Sequence, residues 1–204
     1  MKARPRISIT AAMLATLMFA ACGSGSQTNS TASQAASTTA STSTSPSSAG
    51  HAPENASIAL SSPAFKTETP LPARYTCDGG NVSPPLHWGN IPTDTKELAL
   101  FLVNMRPVNG KLFANWGVLG LKPTESGLAA GSLPAEAITG RNSLGQINYS
   151  VCPAKGKEEN YIFVIYSLPS QLSAQPGFNA VALREAAFHA AKSEGLLSVS
   201  YTRH

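Results

Sequence analysis

Apolar residues in this chain gather into short runs broken by Gly and Pro. Leu98-Ala-Leu-Phe-Leu-Val103 is unbroken and reads as a central strand. Trp116-Gly-Val-Leu-Gly-Leu121 reads as a second strand. Tyr161-Ile-Phe-Val-Ile-Tyr166, aromatic and β-branched throughout, reads as a third. Short apolar runs with dense Gly and Pro between them predict a β-rich domain with long loops. One helix is expected. Asn179 supplies a cap and Ala180 to Lys192 a series of good helix formers. At 3.6 residues per turn, Leu183, Ala187, Ala190 and Ala191 share one side, while Glu185, His189 and Lys192 share the other. Gly195 is expected to end the helix. Leu196 to Tyr201 then alternates, with Leu197, Val199 and Tyr201 on one face, as in a half-buried final strand.

The first third of the chain has neither pattern. Lys2, Arg4 and Arg6 precede an uncharged, mostly apolar stretch from Ile7 to Ala21, too short for a comfortable permanent span. Ala20-Ala21-Cys22 has the form of a bacterial lipoprotein cleavage box, with Phe19 where Leu is usual. Residues 1–21 are therefore expected to be a signal peptide and Cys22 the lipidated first residue of the mature protein. Ordinary secretion with a free Cys22 is the alternative. Residues 22–55, after that cysteine, are Ser, Thr, Ala and Gln with almost no charge and no apolar period, so they cannot bury a core and read as a tether. Residues 56–204 suit one domain, and no internal repeat is visible.

Charge changes the picture little. The chain has 15 Lys+Arg against 11 Asp+Glu, and removal of the three basic leader residues leaves 12 against 11. No basic tail or run points to nucleic acid. The sequence carries no Gly-x-Ser-x-Gly elbow, phosphate loop or His-Glu-x-x-His pair. The histidines at 51, 87, 189 and 204 are scattered without metal-ligand spacing. The expectation is a protein that is not an enzyme and holds no metal or cofactor. After Cys22, only Cys77 and Cys152 remain. In an oxidising compartment such a pair is a candidate disulfide, the alternative being two buried thiols.

Tyr75-Thr-Cys-Asp-Gly79, Asn81-Val-Ser-Pro-Pro-Leu86 and Trp88 together resemble the opening signature of the bacterial Raf-kinase-inhibitor-like branch of the phosphatidylethanolamine-binding protein family. Ser62-Pro-Ala-Phe65 and Pro92-Thr-Asp-Thr-Lys96 agree as flanks. Val151-Cys-Pro153 with Tyr161-Ile-Phe163 is similar to the second signature, and the closing helix, strand and Tyr201-Thr-Arg203 are similar to the family's ending. The resemblance covers essentially the whole domain. It implies a mainly β fold: a large central sheet, a smaller sheet packed on it and a few peripheral helices.

It also implies a small anion pocket lined by an Asp-Pro-Asp stretch, a His-Trp pair, a Gly-Pro loop, a second His and a Tyr. At the matching positions this chain has Asn104-Met105-Arg106, Asn115-Trp116, Ser150-Val151, Glu159 and Tyr161. Of the polar set only Tyr161 is kept, with Trp116 beside it. His87-Trp88 belongs to the first signature and is not the family's His-Trp pair. Imidazole donors are exchanged for an amide and a carboxylate, so phosphate binding is expected to be weak or absent. Two functions follow from the resemblance. One is an envelope-anchored, non-enzymatic module that binds a small polar or anionic ligand, a lipid head group included, at Asn104, Arg106, Asn115, Ser150, Glu159 and Tyr161. The other is a protein-interaction or inhibitor module that has lost its small ligand. The expected location is the extracytoplasmic side of the bacterial envelope, with the membrane reached through the lipid anchor.

Overall fold

The computed structural model describes residues 57–204; the leader, Cys22, His51 and the tether lie outside the described residues. The sheet-rich architecture expected from the sequence is present, with two sheets and one α-helix among the described residues. The strands are β1 (Ala59–Ser61), β2 (Thr69–Pro70), β3 (Leu86–Gly89), β4 (Glu97–Val108), β5 (Lys111–Leu121), β6 (Gly127–Leu128), β7 (Ile138–Thr139), β8 (Glu158–Leu168) and β9 (Ser193–Thr202), with α1 (Ala180–Ala190) before the last. The large sheet runs β2-β9-β8-β4-β5-β7 and the small one β1-β3-β6. Almost every pairing is antiparallel; β2 joins β9 in parallel.

The unbroken apolar run in β4 is explained by its neighbours. Both faces of the strand are covered, so alternate residues enter different cores. Leu98, Leu100 and Leu102 pack with Leu86 and Trp88 of the small sheet. Ala99, Phe101 and Val103 pack with Ala180 and Ala187 of α1. The same alternation in β8 sends Tyr161, Phe163 and Ile165 to the first core and Val164 and Tyr166 to the second. In β9, Leu197, Val199 and Tyr201 are buried as the pattern predicts.

Asn179 caps α1 through its side chain, which accepts from Ala182 N at 3.0 Å. The helix, however, stops at Ala190 rather than running to Lys192. Ala191 is already extended, and Lys192 N donates to Ser167 O, which starts the long pairing of β9 with β8. Gly195 does not end the helix. It lies inside β9, where a Cβ would overlap the Ile58 carbonyl oxygen. Its role is close backbone approach.

The β4–β5 hairpin turns at Asn109-Gly110, both with positive φ, between the paired residues Val108 and Lys111. Asn-Gly is the usual composition of such a two-residue turn. Cys77 and Cys152 are bridged with a Cα–Cα separation of 5.2 Å. Next to the bridge, Cys77 N donates to Val151 O at 3.0 Å. The two signature segments are thus joined covalently and through the backbone.

Candidate functional site

The residues singled out in the sequence assemble at one end of β4, β5 and β8, in two linked groups. In the first, Asn104 of β4 stands directly opposite Tyr161 of β8. Glu159, two residues before Tyr161, shares its face. Both ends of the Asn104 amide are engaged: its Nδ2 donates to the Glu159 carboxylate, and its Oδ1 accepts from Arg106 N at 2.8 Å. The Arg106 side chain is exposed and forms no ion pair with Glu159 among the described residues. Tyr161 is buried. Burial, and secondly the nearby Glu159 charge, push its phenol pKa well up, so it stays protonated at neutral pH.

The second group is built around a β-bulge. Leu102 pairs with Trp116 and Val103 with Ala114, which leaves Asn115 as the extra residue on β5. Trp116 and Ala114 consequently enter different cores. Asn115 is 3% exposed. Its Nδ2 donates to Ser150 O at 2.7 Å, and Ser150 N returns a bond to Asn115 O at 3.1 Å. An amide oxygen cannot face a carbonyl oxygen at that distance, so the contact fixes the orientation of the amide. Its Oδ1 is then buried with no hydrogen-bond partner.

Two residues not singled out for the site hold this arrangement in place. Asn81, quoted above only as part of the signature, accepts from Val151 N at 3.1 Å and contacts Ser150 Oγ at 3.4 Å. Tyr149 packs edge-on against Trp116 at 5.6 Å and donates its hydroxyl to Tyr75 O at 2.9 Å. Burial raises the Tyr149 phenol pKa well above the ordinary value, with smaller contributions from Tyr161 and Tyr75. The signal for Asn81 was its place in an Asn-Val-Ser-Pro-Pro run. Tyr149 had only its adjacency to Ser150.

Two surface clefts stand out, of about 690 Å³ and about 310 Å³. Neither is lined by Asn104, Asn115, Glu159 or Tyr161. The larger lies between the β4–β5 hairpin and the start of α1, and the smaller beside His87.

Asp78, in the first signature segment, has a structural task beside the disulfide. It accepts from the Tyr201 hydroxyl at 2.6 Å and from Arg203 Nε at 3.2 Å. The Tyr201 bond, opposed by desolvation and aided by Arg203, holds its carboxyl below the ordinary aspartate value. A depressed folded-state pKa stabilises above the unfolded value of about 3.9 and loses that contribution as pH falls through the depressed value. Asp78→Asn is therefore expected to flatten the acid limb of the stability curve below about pH 4. Urea midpoints measured across that range would check it, and parallel acid limbs for the two proteins would contradict it.

Comparison with known proteins agrees with the fold. The family profile described as phosphatidylethanolamine-binding protein matches residues 61–202. A UPF0098 protein of Methanothermobacter thermautotrophicus is 36% identical over 124 residues, covering 58% of this chain and 81% of its own length. The protein named "Putative lipoprotein LppC" of Mycobacterium tuberculosis is 34% identical over 148 residues, covering 72% of this chain and 73% of its own length. Among solved structures, Escherichia coli YbcL, described as a new member of the mammalian family, superposes with a TM-score of 0.67 at 26% identity, covering 73% of this chain and 100% of its own. CT736 of Chlamydia trachomatis superposes with a TM-score of 0.65 at 29% identity, covering 72% and 99%. A profile that spans nearly all of the described domain, on a chain with the matching two-sheet fold, settles the family: this chain belongs to the phosphatidylethanolamine-binding proteins.

Proposed function

We propose that this domain is an envelope-anchored, non-enzymatic binding module whose anion site has been rewritten from donor-rich to acceptor-rich. It takes a small polar ligand that brings its own hydrogen-bond donors and largely refuses phosphate. The observation that carries this reading is the Asn115 amide, whose nitrogen is committed to Ser150 O while its oxygen is buried and unpartnered. An unpaired buried acceptor costs about 1–3 kcal/mol, which a donor from a ligand would recover. Glu159 supports the same polarity. It occupies the Asn104 donor and adds a negative charge on the Tyr161 face. A phosphate would meet acceptors where it needs donors, and each ~1.4 kcal/mol of mismatch weakens binding tenfold. The similarity to a protein named as a lipoprotein supports the envelope location, with Cys22 as the anchored residue.

Calorimetry with phosphorylethanolamine tests the reading. The wild-type protein is expected to give no heat of binding, and a Glu159→His, Asn115→His double variant of unchanged thermal midpoint is expected to gain it. Micromolar binding by the wild type, lost in Tyr161→Phe, would contradict the rewritten site. Neither cleft is lined by the site residues, and this favours a second reading as an interaction or inhibitor module. Failure of phosphate-type and amine-type ligands alike, in wild type and double variant, would favour that one.

A further inference from the structure

The surface carries a second feature, independent of the rewritten site. Seven large apolar side chains are exposed among the described residues, and four of them sit on just two segments. Met105 and Val108, 52% and 47% exposed, lie at the tip of the β4–β5 hairpin. Leu144 and Ile147, 51% and 49% exposed, lie on the 141–148 loop. The segments are neighbours. Ala114 and Ser143 are joined by two hydrogen bonds of 2.8 and 2.9 Å, and Val108, Lys111 and Arg141 line one cleft. Ile147 reaches the rim at Gly177, where its Cδ1 lies 3.0 Å from the place a Cβ would take.

Charge on the two segments themselves has one sign, the nearest carboxylate being Glu159, bonded to Asn104 at the base of the hairpin. Residues 98–124 and 137–157 contain no Asp or Glu, while Arg106, Lys111 and Arg141 stand among the exposed apolar side chains. Arg141 is held in place, its guanidinium donating to Gly145 O at 2.7 Å and its backbone bonded to Phe178 O and Ala180 N. Residues 105–108 are exposed on both faces of the hairpin, so the tip projects from the body instead of forming a flat patch. Apolar projections flanked by Arg106, Lys111 and Arg141, with no carboxylate on either segment, match an anionic lipid surface. Apolar side chains enter the boundary between head groups and acyl chains while cations meet the phosphates.

We propose that the tip of the β4–β5 hairpin and the 141–148 loop form a docking face for a bilayer rich in anionic lipid. The occupant is the bilayer surface itself, which accommodates two separate projections more readily than a folded acidic protein would. The face lies beside α1 and does not use Asn104, Asn115 or Tyr161.

Vesicle co-sedimentation tests the proposal. The full chain carrying Cys22→Ala is mixed with vesicles of pure phosphatidylcholine, or of phosphatidylcholine and phosphatidylglycerol in equal parts. All variants share the basic leader, so only differences between variants are read. Lys111→Gln and Arg141→Gln are each expected to lower partitioning onto the anionic vesicles about fivefold, the usual contribution of one basic residue at such a surface. Val108→Asp with Ile147→Asp is expected to lower it further, and to do so also at high salt, where only the apolar contribution persists. Lys96→Gln, an equal charge change at the opposite end of β4, is expected to leave it unchanged. A loss in Lys96→Gln as large as that in Lys111→Gln would overturn the proposal. So would variants that bind as the parent does, or binding only to an acidic protein partner and not to vesicles.

Discussion

The Cys77→Ala, Cys152→Ala double variant is expected to unfold at a midpoint roughly 8–16 °C lower than the oxidised parent. The bridge spans 75 residues of sequence. Closing a loop of that length removes conformational freedom from the unfolded chain worth about 4 kcal/mol in the chain-entropy model. For a domain of this size each kcal/mol moves the midpoint by about 2–4 °C. The double variant leaves neither bridge cysteine as a lone thiol. The bridge also holds together the segments that build the site, through Cys77 N to Val151 O and Asn81 to Val151 N and Ser150 Oγ. Thermal unfolding followed by circular dichroism, without reductant, checks the value. An unchanged midpoint would contradict the chain-entropy account of the bridge.

A second large effect is expected at Glu97, a carboxylate 4% exposed at the start of β4. Its Oε1 accepts from Gly120 N at 2.6 Å and its Oε2 from Leu172 N at 2.7 Å. One side chain thus ties β4 to the end of β5 and to the loop after β8. Glu97→Ala would leave two part-buried backbone donors without their carboxylate, at up to about 1–3 kcal/mol each, and open a cavity besides. A loss of roughly 3–5 kcal/mol is expected in urea unfolding. Glu97→Gln should lose less, because the amide oxygen still serves one of the two donors. A loss under about 1 kcal/mol in the Ala variant would mean that water replaces the carboxylate at both N–H groups.

The long elements were legible because their signals are local. The apolar runs of β4 and β8 are covered on both faces, and Asn179 followed by good helix formers gives α1. The Asn109-Gly110 turn, which places the projecting hairpin, carries an equally local signal in its composition. β2, β6 and β7 have two residues each, too few for any period, and exist only because a neighbouring strand pairs with them. Gly195 misled because a glycine after a helical pattern usually ends it. Here the Ser167–Ser193 pairing captures the chain first. Glu97 was invisible because its partners lie 23 and 75 residues away and are backbone groups.

At the site, the sequence pattern puts Tyr161 at the start of one strand and Asn104 just past the apolar run of another, and β4 continues through Asn104 to bring the two face to face. The pattern did not show that Asn104 spends both ends of its amide on the protein itself, on Glu159 and on Arg106 N. Nor did it show that a bulge singles out Asn115 or that Ser150 O fixes which end of that amide is free. These are consequences of register, and one residue of slip would undo them. Arg106, a candidate ligand residue in the sequence, contributes its backbone N–H to Asn104 while its side chain is exposed.

If the family's site persists in place with its polarity inverted, nuclear magnetic resonance of the side-chain amide of Asn115 will register it. With ethanolamine, the Asn115 amide signals are expected to shift in a saturable way, because the free Oδ1 accepts a donor from the ligand. Inorganic phosphate at the same concentrations is expected to leave them in place. Saturable movement with phosphate and none with ethanolamine would show that the site still selects acceptors, and the account of a rewritten pocket would be wrong.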